Sequence, residues 1–262
     1  MMKRVRAKKY LGQHFLNDLD IAGQITESLL TPPSQVIEVG PGMGVLTQFL
    51  IQRSDIDLYL VEIDSESVSY LHHNYPQLKE RIIEGDFLKM NFGKLFPEKF
   101  SIIGNFPYNI SSQIFFKALE NRQQVEKVVG MVQREVGRRI ASGPGSKEYG
   151  ILSVLLQAFY DIEYLMTVDE HVFTPPPKVK SGVIRLVRNK VEELPCDERL
   201  FIRVVKAAFL HRRKTMRNSL KKLAFDHDAI LHLPVFNLRP EQLSVEGFQE
   251  LTLLIQQHPL CE

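Results

Sequence analysis

The chain has 262 residues, 44% hydrophobic, 24% charged and 9% aromatic, a globular balance that excludes disordered and fibrous classes. No run approaches the ~18 apolar residues of a membrane helix, and 33 Lys and Arg against 31 Asp and Glu leave a net charge of only +2, so overall charge does not announce a nucleic-acid partner. Two cysteines, Cys196 and Cys261, are too few for a disulfide framework or a Cys-based zinc site, and they suggest a reduced, cytoplasmic setting.

In chain order, the N-terminus is basic: Lys3, Arg4, Arg6, Lys8 and Lys9 precede the first acid, Asp18, without the apolar core of a secretion signal. Apolar runs then alternate with helical patterns. QVIEV (35–39), LYLVEI (58–63), RIIEG (81–85), FSIIGN (100–105) and VVGMV (128–132) read as buried strands, with helices predicted over 44–53, 66–74 and 110–120. This alternation predicts an α/β fold whose mostly parallel sheet is covered on both faces. A later β-rich pair, 160–168 and 182–188, reads as an antiparallel edge hairpin around the segment FTPPPKVKSG. NKVEELPCDE (189–198) reads as a linker, and beyond it the pattern is helical only. Leu200, Phe201, Val204, Val205 and Ala208 share one helix side, opposite Arg199, Arg203 and Lys206. Further helices are predicted over 215–231 and 245–257. The chain therefore divides into a sheet domain, 1–190, and a small helical domain, 191–262. From Arg199 to Lys222 there are nine Lys or Arg and no acid. The two basic runs fit either a polyanionic partner or a solvated tail and helix face.

Within the first strand–helix unit lies VIEVGPGMGVLT (36–47). Glycines at 40, 42 and 44 let the backbone turn tightly and approach a ligand, although a tight structural turn has the same signature. Glu62 ends the next strand, 22 positions after Gly40, near the ~20 expected of an acid that accepts ribose hydroxyls. Asp86 follows the third strand, where it can bond an adenine amino group. Gly40, Gly42, Glu62 and Asp86 on successive strand ends outline a nucleoside site at the carboxyl edge of a sheet. Both NAD and S-adenosylmethionine fit such a site.

The fourth strand runs into Asn105-Phe106-Pro107-Tyr108-Asn109. This stretch resembles the [N/D/S]-P-P-[Y/F] signature of amino-group methyltransferases that use S-adenosylmethionine. A conjugated exocyclic amine is a poor nucleophile because its lone pair is delocalised. Two acceptors on its N–H bonds pull the nitrogen toward tetrahedral geometry. The Asn105 side-chain oxygen and a carbonyl near Phe106 or Pro107 are suitable acceptors, and Pro107 stiffens the loop that carries them. Tyr108 offers a face for a planar base, a stack worth ~1–3 kcal/mol. No strong general base is needed, so His14, His72, His73 and His171 read as structural or exposed.

Together with KKYLGQHFLND (8–18), FTPPPKVKSGVIRL (173–186) and FLHRRKTMRNSL (209–220), these motifs closely resemble the KsgA-type (RsmA) small-subunit rRNA adenine dimethyltransferases, from about Lys8 to past Leu220. The resemblance implies a class I S-adenosylmethionine-dependent methyltransferase fold, Rossmann-like, with a small all-helical C-terminal domain. It implies N6,N6-dimethylation of two adjacent adenosines in the 3′-terminal hairpin loop of 16S rRNA, within immature small ribosomal subunits in the cytoplasm, by a monomer that needs no metal. The family's cofactor positions fall on His14, Leu16, Gly40, Glu62, Asp86 and Asn105. The target base would sit between Tyr108 and Phe173, with Asn105 and the Pro107 region accepting from N6. His14 stands where the family commonly has Asn, and Phe106 where Leu is commoner. Lys178, Lys180, Arg212, Arg213, Lys214 and Arg217 become phosphate contacts, with interdomain ion pairing the alternative for Arg212 and Arg213. Lys8 and Lys9 either guide RNA or solvate the tail.

Other functions share this loop chemistry. A methyltransferase of another RNA or of a protein glutamine is one rival. A non-catalytic factor of subunit assembly is another, from a different class.

Overall fold

The structure, a computed structural model, describes residues 5–31, 35–211 and 213–260. In chain order its strands are β1 (Phe15–Leu16), β2 (Gln35–Val39), β3 (Asp57–Glu62), β4 (Ile82–Glu84), β5 (Phe100–Asn105), β6 (Val125–Gln133), β7 (Tyr160–Val168), β8 (Phe173–Thr174) and β9 (Ser181–Arg188). Seven of them form one sheet in the order β4-β3-β2-β5-β6-β9-β7. Neighbours from β4 to β6 run parallel, and β9 runs antiparallel to β6. Val36, Ile37, Phe100, Ile102, Ile103, Val128 and Val129 are fully buried, as parallel strands covered on both faces require. β7 and β9 are neighbours, as the predicted hairpin requires, but β9 takes the place beside β6 and β7 becomes the edge.

Strand order reverses between β2 and β5. From β2 the chain goes outward through β3 and β4, then returns to β5 and proceeds the other way. Loops leaving adjacent strands in opposite directions open a crevice at their carboxyl ends, where α/β sheets bind ligands. A separate ribbon crosses nearby: β1 pairs antiparallel with β8, Phe15 opposite Thr174 and Leu16 opposite Phe173.

Some predicted helices are shorter than their patterns. In place of 44–53, regular α-helix covers only Thr47–Leu50. At its start the cause is local: Gly44, the last of three glycines with positive φ (+67°, +57° and +81° at 40, 42 and 44), has a backbone that no right-handed helix contains. In place of one helix over 215–231 there are two single turns, Met216–Ser219 and His227–Ile230. Asp226 starts the second by accepting from the amides of Asp228 and Ala229, both at 3.1 Å, while Leu220 and Phe225 bury between the turns. The helices Ser65–Asn74, Ser111–Glu120 and Val245–Gln257 lie within a residue or so of the predicted spans. The helices Leu19–Glu27, Arg134–Ala141 and Ile151–Gln157 are additions. Asp18 caps the first of them by accepting from the Ile21 amide at 3.0 Å.

The chain clusters into two units. One comprises Met1–Gly137 and Asp161–Arg188 and holds the sheet. The other comprises Arg138–Tyr160 and Asn189–Glu262. It therefore includes 138–160, a stretch that a single cut near residue 190 assigns to the sheet domain. Its core is helical: Phe201, Val204, Val205 and Ala208 on the helix Glu198–Phe209 are fully buried. The Phe209 ring meets Tyr149 at 6.1 Å and Phe248 at 5.7 Å. Arg199, Arg203 and Lys206 are exposed on the opposite side. Among the described residues no helix is long and apolar enough to cross a membrane.

Candidate active site

The crevice at the strand reversal is a cleft of ≈ 320 Å³. Its walls are residues 11–15, the glycine turn, Glu62 and Ile63, residues 85–88, and the loop 105–110 with Gln113. Gly40, Gly42, Glu62, Asp86, Asn105, Pro107, Tyr108 and His14 thus converge on one cavity. Leu16 lies just outside it, 3% exposed on β1. It lines a small adjoining hollow of ≈ 30 Å³ together with Glu38, Gly40 and Asn105.

The glycine turn is shaped by close neighbours. A Cβ on Gly42 would lie 2.8 Å from the Phe15 ring, and one on Gly44 2.5 Å from Tyr75. The Tyr75 hydroxyl donates to the Gly44 carbonyl at 3.0 Å, and burial raises its pKa to about 12, so it remains a donor. At Gly40 the nearest neighbour of an added Cβ would be Pro107 of the reactive loop, 3.9 Å away. A side chain there would fill the gap that glycine leaves between turn and loop.

Glu62 is 4% exposed. Its Oε2 accepts from the Gly42 amide at 3.0 Å, and its Oε1 from the amides of Ile63 at 2.9 Å and Asp64 at 3.0 Å. Burial raises its pKa above the ordinary value, while these three amides oppose the shift. A carboxylate has about four lone-pair sites. Three are taken by backbone, so one site on Oε2 remains for a ligand hydroxyl. Glu62 thus ties the glycine turn to the end of β3 as well as facing the cleft. Asp86 caps the short turn after it, accepting from the Leu88 amide at 3.0 Å. Among the described residues the cleft wall contains two carboxylates and no Lys or Arg. It therefore suits a cationic ligand and lacks the cations that favour a pyrophosphate.

Asn105 ends β5, level with Met131 of β6. Its Nδ2 donates to the His14 carbonyl at 2.8 Å, which leaves Oδ1 as an acceptor. The ladder holds one residue further: the Phe106 amide donates to Met131 O at 3.0 Å. The Phe106 ring is buried against two glycines, where a Cβ on Gly104 would lie 2.9 Å away and one on Gly130 only 2.3 Å. The larger ring in place of Leu is accommodated by this glycine-lined seat. Tyr108 is fixed at its tip, with Oη 2.5 Å from Ser181 Oγ. Burial raises its pKa despite that bond, so the phenol stays neutral.

His14 lies beside Tyr108, ring centroids 5.3 Å apart and tilted by 31°. Its Nδ1 is 2.7 Å from the Pro175 carbonyl. Phe173, expected as the second wall for a base, is elsewhere: 2% exposed, in the hydrophobic core, its backbone paired with Leu16. The structure does not bring it to the cleft. Tyr108 and His14 are the polar-tipped rings that line the cavity.

Other functional features were not evident in the sequence. Glu38 is 1% exposed beneath the glycine turn and accepts from Thr47 Oγ1 at 2.6 Å; its one signal is an acid inside the apolar run VIEV. Ile63 is 52% exposed at the cleft, flagged only as an apolar residue following a strand-end acid. Lys8 does not solvate a tail: it pairs with Asp64 and lies 3.4 Å from Glu66. Burial opposes ionisation of Asp64, but bonds from Lys8, Ser67 and Gln13 hold its pKa below the ordinary value.

Of the expected phosphate contacts, Lys178 and Lys180 are exposed and border a second hollow of ≈ 270 Å³ with Arg134. Lys180 pairs with Asp169. In the helical unit Arg213, Lys214 and Arg217 are exposed, and Arg217 donates to the Leu231 carbonyl at 2.9 Å. Arg212 lies outside the described residues. No group of three or more His, Cys, Asp or Glu that could hold a metal ion occurs among the described residues.

Comparison with known proteins gives a consistent result. Residues 4–236 match a family model described as ribosomal RNA adenine dimethylase. A Parabacteroides distasonis protein named ribosomal RNA small subunit methyltransferase A is 59% identical over 258 residues, 98% of this chain and 97% of that one. A protein of the same name from Cytophaga hutchinsonii is 57% identical, over 97% of this chain and 99% of its own. Among solved structures, a dimethyladenosine transferase from Plasmodium falciparum shares the fold, with a TM-score of 0.80 at 24% identity over 94% of this chain and 100% of that one. The 23S rRNA methyltransferase ErmE gives 0.67 at 26% identity over 91% and 99%.

Proposed function

The chain belongs to the ribosomal RNA adenine dimethylase family, and from that premise we propose that it dimethylates N6 of two adjacent adenosines in the 3′-terminal hairpin loop of 16S rRNA. The reaction takes place on immature small subunits in the cytoplasm, with the chain acting as a monomer.

The methyl donor is S-adenosylmethionine, which supplies a methyl carbon on a sulfonium; the new N–C bond forms as the C–S pair returns to sulfur. The cleft fits it. Gly40 leaves space toward Pro107, Oε2 of Glu62 keeps a site that would take a ribose hydroxyl, Asp86 would accept from the adenine amino group, and a wall with carboxylates and, among the described residues, no Lys or Arg suits a cation. His14 and Leu16 close the side formed by β1.

The observation that carries the reading is the state of Asn105. Its amide nitrogen is engaged by His14 O at 2.8 Å, so Oδ1 is the group that can accept from the adenine N6. Pro107 O already accepts from the Ile110 amide at 3.1 Å, which favours the Phe106 carbonyl as the second acceptor. Two preorganised acceptors localise the nitrogen lone pair and aim it, and alignment then accounts for most of the rate. The proton leaves to solvent once the nitrogen is cationic. Tyr108, held by Ser181, stacks on the base, and Phe173 supports β1 from the core. A hairpin loop makes extrusion of the base inexpensive. Arg213 and Lys214, with Lys178, Lys180, Arg212 and Arg217, hold phosphates.

The test supplies S-adenosylmethionine carrying a radiolabelled methyl, with immature small subunits or a glutamine-containing peptide as acceptor. Label in adenosines of the small-subunit rRNA is expected. Label in the peptide and none in RNA would overturn the reading, and binding to subunits without any transfer would reduce the chain to an assembly factor.

A further inference from the structure

No aromatic side chain among the described residues is as exposed as Tyr10, at 76%. It sits on a hydrogen-bonded turn, Lys9–Leu11, in which the Leu11 amide donates to Lys8 O and the Gly12 amide to Lys9 O, both at 3.0 Å. The turn belongs to a strap that is anchored along its length. Lys8 pairs with Asp64, and its own amide donates to Gln13 Oε1 at 2.8 Å. The His14 carbonyl takes the Asn105 amide, and Phe15 and Leu16 pair with β8. Tyr10 is therefore an aromatic ring held outward on fixed backbone rather than one on a loose end.

Its position is defined by the next two residues. Leu11 and Gly12 line the cleft, and a Cβ on Gly12 would lie 2.7 Å from Asn109 Oδ1 of the reactive loop. Tyr10 thus directly precedes the stretch of chain that forms this edge of the cleft wall. Lys9, its neighbour in the chain, is exposed, and so is Arg6 four positions before it. An exposed aromatic face beside cations that can meet a phosphate backbone is how unpaired nucleotides are held without reading their sequence.

We propose that Tyr10 is a stacking platform for an unpaired base that flanks the target adenosine. This rests on the rRNA reading above. Stacking the neighbour while the target is drawn into the cleft would compensate for the stack that the target loses on leaving the loop, and would favour single-stranded over duplex RNA.

The chain contains no tryptophan, so Tyr10→Trp introduces a single reporter at the platform. Its emission should be quenched by an RNA hairpin with an unpaired adenosine loop and not by a blunt duplex of the same stem. Tyr10→Ala should raise KM for RNA by about 5- to 150-fold, the range of one base–aromatic stack, with the loss falling on KM rather than kcat and Tyr10→Phe restoring it. A Tyr10→Trp enzyme that methylates the hairpin while its emission ignores that RNA would overturn the proposal, as would a Tyr10→Ala enzyme with the wild-type KM. Failure of the rRNA reading looks different: the wild-type chain itself would transfer no label to RNA.

Discussion

Glu38 sits where a carboxylate is costly. It is 1% exposed under the glycine turn. Burial, aided by the charge of Glu62 and opposed by bonds from Thr47, pushes its pKa up to about 8 from an ordinary 4.5. The folded chain therefore keeps a proton that the unfolded chain releases. Its contribution to stability is complete below about pH 4.5 and is lost as pH rises through about 8. Glu38→Gln keeps a hydrogen-bonding group without the ionisation, so it should flatten the decline in urea midpoint across that window. A variant with the wild-type slope would place the titration elsewhere. The residue scale is also where the sequence was most unevenly informative. Glu62 and Asp86 were legible because strand–loop order puts acids at successive strand ends. The burial of Phe173 was not, since it depends on pairing between β1 and β8, more than 150 residues apart in the chain. Nor was the engagement of Glu62 by three amides, a product of how the turn folds back on it.

Elements decide how firmly the reactive loop is held. The Phe106 ring occupies a seat formed by Gly104 on β5 and Gly130 on β6, neighbours in the sheet register. Gly130→Ala would put a methyl 2.3 Å from the ring. Either the ring or β6 must move, which costs about 1–3 kcal/mol as in other overpacked cores. Both thermal midpoint and kcat should fall, with kcat falling more than the affinity for S-adenosylmethionine, because the displaced residue adjoins Asn105. An unchanged kcat in a destabilised variant would show that the loop does not depend on this seat. Strands were the legible elements, because side chains that fill two buried faces leave long apolar runs. Two of the helices were not. Their patterns at 44–53 and 215–231 continue through backbone that positive-φ glycines or a fresh Asp226 cap interrupt.

On the scale of the whole molecule, a net charge of +2 hides an uneven spread. The helical unit exposes Arg199, Arg203, Lys206, Arg213 and Lys214, whereas the cleft wall carries carboxylates and, among the described residues, no Lys or Arg. A polyanion is thus attracted to one part of the surface and a cation to another. Arg213→Ala should weaken rRNA binding and lower the slope of log affinity against log salt by about one; an unchanged slope would assign Arg213 to a structural role. Sequence motifs revealed the sheet, the residues that meet in the cleft at its carboxyl edge and the helical pattern of the C-terminal region. They did not reveal that 138–160 clusters with that region, since membership of a core depends on contacts between distant segments. In the proposed mechanism an Asn105 oxygen and an adjacent carbonyl present adenine N6 to the methyl donor. Its most direct test is mass spectrometry of small-subunit rRNA after incubation with S-adenosylmethionine and either the wild-type chain or Asn105→Ala, each shown to bind the donor. Dimethylated adenosines are expected with the wild type, and with the variant a loss of at least about a hundredfold in rate; a donor-bound Asn105→Ala protein that dimethylates at the wild-type rate would show that the side-chain oxygen does not hold the amine.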